Sequence, residues 1–126
     1  MTDIELTLEI AKALDDKRAL DIIALDVQHL TVICDYMVIA SGRNANNVHA
    51  MVDAVDDKMA ELGLSLRRTE GAAECRWVVM DYGRILVHLF NQEERRYYHL
   101  ERLWDDGTNR LDLSFLDPAD PDGPVL

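Results

Sequence analysis

The stretch at 77–90, WVVMDYGRILVHLF, constrains this chain most, because it states a local structure and divides its residues between two faces. Two runs of β-branched and apolar residues flank Tyr82 and Gly83. Glycine takes a positive φ without a Cβ penalty, so the spacing predicts a tight β-hairpin closed there. With Tyr82 and Gly83 as a two-residue turn, Asp81 lies opposite Arg84, Met80 opposite Ile85, Val79 opposite Leu86, Val78 opposite Val87 and Trp77 opposite His88. Alternation puts Val78, Met80, Ile85, Val87 and Leu89 on one wholly apolar face. The other mixes Trp77, Val79, Leu86 and Phe90 with Asp81, Arg84 and His88. A purely structural sheet needs only the first face, so the second reads as a surface made to meet a partner. A turn displaced by one residue shifts the cross-strand pairs and leaves each strand's own alternation intact.

The flanking sequence supplies the rest of an α/β domain. Thr2 caps a first helix and Glu5 reaches back to it, a capping box, with Ile4, Leu8, Ala11 and Leu14 along one stripe. Residues 21–27 and 36–41 are apolar on nearly every position, as strands covered on both faces are. The connection at 28–35 is too short for a long crossover helix, which allows these strands to pair antiparallel. Residues 43–63 form the clearest helix: Val48, Met51, Val52, Val55, Met59 and Leu62 share a face, Asn44 is the N-cap and Gly63 the stop. Residues 64–69 read as a further strand and 70–74 as a loop. Asn91, with Glu94 three residues on, opens a last helix over 92–104 whose stripe is Tyr97, Leu100 and Trp104, leaving Tyr98 off the stripe and exposed. Residues 1–107 thus make one domain. From 108 to 126 the chain is an acidic, proline-containing stretch that reads as a flexible tail, except that Leu111, Leu113, Phe115 and Leu116 offer a short apolar segment that can dock.

Charge narrows the function. Twenty-four acidic residues against 13 basic ones give a formal charge of -11. That disfavours general nucleic-acid or anionic-membrane binding and favours a basic protein partner. With no apolar run near the ~20 residues that span a bilayer and no leader pattern, the expected location is cytoplasmic. Cys34 and Cys75 are far apart and read as reduced thiols. No convergent set of catalytic residues emerges. Ser41 and Gly42, between a strand and a helix N-terminus, occupy a place where backbone N–H groups hold phosphate, which keeps a nucleotide-binding or nucleotidyltransferase-like enzyme as the alternative. The second glycine and the lysine of a P-loop are missing, however, as are paired carboxylates on a strand. His29, His49, His88 and His99 show no zinc-ligand spacing. The residues therefore point to a non-enzymatic binding module with no cofactor and no metal.

Several motifs carry a family resemblance: DIIALDV at 21–27, DYMVIASG at 35–42, EG at 70–71, W-x-x-x-DYG at 77–83, VHLF at 87–90 and R-x-Y-x-L-E-R-L-W at 96–104. Together they resemble the ribosomal silencing factor family, also called Iojap-related or RsfS, in register over about residues 4–104. The resemblance implies a small mixed α/β sheet with helices packed on it, related in fold to nucleotidyltransferases but without their catalytic carboxylates. It also implies a bacterial factor that binds the large ribosomal subunit through large-subunit ribosomal protein number fourteen. There it blocks joining of the small subunit and represses translation when nutrients are scarce.

On that reading Trp77, Asp81, Tyr82, Gly83, Arg84, His88 and Tyr98 form the partner-binding set, with Trp77 and Tyr98 as aromatic anchors. A homodimer that buries the mixed face is the other partner this surface allows. Two positions depart from the family pattern. Asn46 and Asn47 stand where a basic residue and a histidine or glutamine are common before Val48, and Arg84 stands where an acid usually follows DYG.

Overall fold

The computed structural model describes residues 1–116. Helix α1 (Asp3–Asp16) begins at the capping box the sequence announces: Glu5 N–H donates to Thr2 Oγ1 at 3.1 Å, and Thr2 N–H to Glu5 Oε1 at 2.8 Å. It leads into β1 (Leu20–Asp26), which pairs antiparallel with β2 (Tyr36–Gly42), a strand buried at every residue. Helix α2 (Ala45–Glu61) follows, capped by Asn44, whose side chain accepts the Asn47 N–H at 2.8 Å. Strands β3 (Arg68–Glu70), β4 (Trp77–Asp81) and β5 (Ile85–Asn91) complete a mixed five-stranded sheet in the order β1-β2-β5-β4-β3. The β2 and β5 strands run parallel at its centre, as a helical crossover requires, and the remaining neighbours are antiparallel.

Helices α1 and α2 close one face of the sheet. Leu6, Ile10 and Leu14 of α1 and Val48, Met51, Val55 and Met59 of α2 pack on Val38, Ala40, Val78, Met80, Ile85, Val87 and Leu89. The apolar face assigned to the hairpin is therefore core. Gly42 lets α2 start close to the sheet, since a Cβ there would lie 2.7 Å from Val48 Cγ2. A second core forms on the opposite face from Ile23, Leu25, Val27, Met37, Ile39 and Phe90. It is covered by the chain after β5: α3 (Gln92–Tyr98) and α4 (Glu101–Trp104).

Five details differ from the sequence reading, the first being that Ile4, placed on the stripe of α1, is exposed, while Leu6 and Ile10 reach the core with Leu14. The hairpin turn sits at Gly83 and Arg84, with Tyr82 N–H donating to the Ile85 carbonyl at 3.0 Å. Asp81 consequently pairs with Leu86, Val79 with His88 and Trp77 with Phe90, where the reading placed His88 opposite Trp77. The displacement moves each pair by two positions, so the strand residues keep their faces, while Arg84, placed on the mixed face, falls in the turn and reaches toward α1. The single helix expected over 92–104 breaks at His99, which takes a left-handed conformation (φ 50°, ψ 45°) and lets Leu100 turn into the second core. Tyr97, placed on the buried stripe, is 80% exposed. Finally, the strand expected over 64–69 pairs only from Arg68 on, because Leu64 and Leu66 turn onto the first core.

The segment 108–116, expected to begin a free tail, docks on the domain, with residues 109–111 bonded along β1. Asp26 N–H donates to the Asn109 carbonyl at 2.9 Å, Leu111 N–H donates to the Ala24 carbonyl at 2.8 Å, and Leu111 and Leu113 pack on the first core. The exposed edge of β1 supplies the unpaired backbone groups that hold it. The apolar exception in that stretch thus docks as far as Leu113, and Lys12 Nζ stands 5.7 Å from the Phe115 ring centroid. The remainder of the expected tail, 117–126, lies outside the described residues.

Candidate functional site

The two faces of the sheet are closed to different degrees. On the α3 and α4 side, Leu100 and Trp104 cover the β1 and β2 half, while Trp77, Val79 and Leu86 remain half-buried toward the β4 edge. Trp77 opens β4, where the alternation of the strand points its indole to this face. The diagonal neighbour on β5 is His88, and the residue directly opposite is Phe90. The indole stacks on Phe90 at 5.0 Å between centroids with planes 24° apart. Its Nε1–H donates to His88 Nδ1 at 3.1 Å. A neutral imidazole accepting at Nδ1 carries its proton on Nε2, and that Nε2 is buried without a hydrogen-bond partner. Burial pulls the His88 pKa down to about 4, which keeps the ring neutral and its acceptor available.

The remaining predicted residues separate. Asp81 Oδ1 accepts the Gly83 N–H at 2.7 Å and Gly83 has φ +89°, so this pair builds the turn. Tyr82 is buried on the opposite, helix-covered face, where its hydroxyl donates to Asp56 Oδ1 at 3.0 Å. Burial, with the Asp56 carboxylate adding to it, drives that phenol far above its usual range. Tyr82 is thus a core residue and not part of the surface. Arg84 is exposed and its guanidinium reaches Asp3 Oδ2 at 3.1 Å, toward the start of α1. His88, read as a surface residue, is only 8% exposed. The Tyr98 side chain lies outside the described residues. Of the predicted set, Trp77 and His88 come into direct contact.

Tyr97 was missed, and Val79 and Leu86, though placed on the mixed face, stood outside the partner-binding set. Val79 and Leu86 are the apolar floor between Trp77 and the turn, and their alternation was visible in the hairpin. Tyr97 is the second exposed ring: with Trp77, Gly71, Arg76 and the carboxylates of Glu74, Glu93 and Glu94 it lines an open cleft of about 530 Å³. The helical stripe had assigned Tyr97 to the core, and only the break at His99 releases it. In the β1–β2 connection Val32 and Ile33 are exposed, and no periodicity marks them.

At the β2–α2 junction the Ser41 hydroxyl and the Arg43 N–H are already engaged. Ser41 Oγ accepts from the buried Arg95 Nη1 at 3.0 Å, and Arg95 Nε reaches Glu101 Oε1 at 3.3 Å. Arg43 N–H donates to Asn47 Oδ1 at 3.0 Å, and Asn47 Nδ2 in turn donates to the Lys17 carbonyl at 3.1 Å. Asn47, one of the two departures noted before Val48, therefore ties the start of α2 to the end of α1. Among the described residues, no group of three or more His, Cys, Asp or Glu side chains is placed to hold a metal ion. Cys34 and Cys75 are buried free thiols.

Fold and face together define a class: a small mixed α/β domain that presents an ordered aromatic surface on one side of its sheet. The chain belongs to the ribosomal silencing factor family, matching the description "Ribosomal silencing factor during starvation" over residues 1–124. It is 43% identical over 105 residues to the ribosomal silencing factor RsfS of Bacillus subtilis, an alignment covering 83% of this chain and 88% of that one. A crystal structure of a protein from Chromobacterium violaceum superposes with a TM-score of 0.81 at 30% identity, covering 90% of this chain and 97% of that one. A second, from Bacillus halodurans, gives 0.77 at 32% identity over 88% and 100% of the two chains.

Proposed function

We propose that this chain represses translation by binding the large ribosomal subunit through large-subunit ribosomal protein number fourteen, using the Trp77, Val79 and Leu86 face, and by standing where the small subunit must join. The observation that carries this reading is the indole of Trp77, only partly buried yet held by a hydrogen bond and a ring stack on a paired strand. Large aromatic side chains fixed before contact are the usual centres of binding energy at interfaces. The acidic composition, with a formal charge of -11, supports a basic partner and fast encounter with it. Its place of action is the cytoplasm, where ribosomes are assembled from their subunits; among the described residues no helix is long and apolar enough to cross a membrane. The test is co-sedimentation with isolated large subunits and with assembled ribosomes. Binding to the first and not the second is the expected result, and Trp77→Ala should weaken it by about 2 kcal/mol while the far-UV circular dichroism stays native. Equal binding to assembled ribosomes would remove the steric mechanism.

A further inference from the structure

The imidazole of His88 is an unexpected group at its position. It sits on β5 between Ile39 of β2 and Val79 of β4, and its Nε2 is a buried polar atom with no hydrogen-bond partner. A branched aliphatic residue would fill such a site without leaving a donor unsatisfied, which is the costlier arrangement. What the imidazole supplies and an aliphatic side chain does not is the Nδ1 lone pair, and that lone pair is used: it accepts the Trp77 indole N–H at 3.1 Å. Trp77 is the first residue of β4, and backbone pairing there, with Phe90 opposite and the Asn91 N–H on the Arg76 carbonyl at 2.9 Å, fixes the main chain but not the rotamer of the indole. The stack on Phe90 limits the indole to a plane. The bond to His88 then fixes its direction within that plane.

We propose that His88 is a positioning residue for large-subunit binding: it makes no contact with the partner and acts by locking Trp77 in the orientation the partner meets. Rotamer freedom removed before association is not lost during it, so the lock increases affinity without adding a contact. This rests on the assignment of the Trp77 face to the large subunit, and the experiment separates the two.

The variants are His88→Leu, which removes the acceptor and keeps apolar volume, and His88→Asn, whose Oδ1 replaces Nδ1. Trp77→Phe removes the donor and keeps a ring, and Trp77→Ala tests the face itself. Binding to isolated bacterial large subunits is titrated for each, and exchange of the Trp77 indole N–H with deuterium is followed by NMR on the free chain. His88→Leu should weaken binding by about tenfold and speed indole exchange, with thermal melting showing a cooperative fold. His88→Asn should restore most of that loss, and His88→Leu should add nothing in the Trp77→Phe background.

The proposal is overturned if His88→Leu binds as the wild type does while Trp77→Ala is impaired. It is equally overturned if His88→Leu loses as much in the Trp77→Phe background, since the effect is then general packing. Normal binding by Trp77→Ala would instead overturn the face assignment. In that case the role of His88 in binding falls with it, and indole exchange reports whether His88 holds Trp77 in the free chain.

Discussion

The two faces of the β4–β5 hairpin share one backbone and one set of cross-strand bonds, yet they end as different materials. On the face under α1 and α2, Val78, Met80, Ile85, Val87 and Leu89 are all at most 1% exposed and lie in one buried cluster with the apolar side chains of both helices. On the other, Phe90 is fully buried, His88 nearly so, and Trp77, Val79 and Leu86 remain half-open. The first face is held by close packing of many weak contacts, whereas at the open end of the second a ring stack and a directed hydrogen bond hold Trp77. Alternation sorts side chains between faces; the length and placement of the covering helices decide which side chains become core. Here α3 and α4 are short, and they leave the β4 side of their face unfilled.

The contrast predicts that damage to the two faces will be read by different assays. Leu89→Ala, which empties part of the helix-covered core, should destabilise the fold by about 4 kcal/mol in chemical denaturation. A loss below about 1 kcal/mol would show that this face is not the packed one. The second face should show an acid limb. Burial holds the His88 imidazole at about 4 against an ordinary 6.5, so in acid the unfolded chain takes up a proton that the folded chain refuses. The stability from this group is complete above about 6.5 and is lost as the pH falls toward about 4, an effect on the order of 3 kcal/mol. Because His88→Asn lacks this titration and keeps the others, its difference in unfolding free energy from the wild type should drop by that amount between pH 7 and pH 4. A flat difference would mean that the imidazole is hydrated. Next in size is Trp77→Ala, whose effect of about 2 kcal/mol should fall on large-subunit binding and spare the fold. Collapse of its circular dichroism would place Trp77 in the core instead. Smallest is Tyr82→Phe, which removes the bond to Asp56 and should cost about 1 kcal/mol of stability with no change in binding. Weakened binding by that variant would return Tyr82 to the surface on which the sequence placed it.

Much of the fold was legible because local rules and tertiary structure agree. The capping box at Thr2 and Glu5, the Asn44 cap and the faces of the hairpin's strand residues, Arg84 apart, depend on residues a few positions apart, and each is found in place. The misread features all depend on distant partners. The turn at Gly83 and Arg84 is tied to the β1–β2 connection, since Asp35 and Tyr36 donate to the Arg84 carbonyl at 2.7 and 3.0 Å. The last helix breaks because Leu100 finds the second core and Arg95 finds Ser41 across the sheet. Residues 109–111 lie along β1 because that strand offers an open edge. As for the site, Trp77 and its orientation to the mixed face were readable from alternation. The separation of Tyr82 from that face, the release of Tyr97 and the burial of His88 were not.

By itself the sequence determined the alternation of 77–90, the helices that flank it and the motifs that place the chain in its family, since these are written in the order of neighbouring residues. Tertiary structure alone decided how far each face is covered, and with it which residues meet solvent. Coverage depends on where α3 stops and where the chain after it turns, and that is set by contacts between residues far apart in the chain, such as Arg95 with Ser41 and Leu100 with the β1 and β2 side chains. The Trp77–His88 bond belongs to the same category. Both residues are visible in the hairpin, but the displaced turn makes them diagonal neighbours, and burial turns the imidazole into a neutral acceptor that fixes the indole.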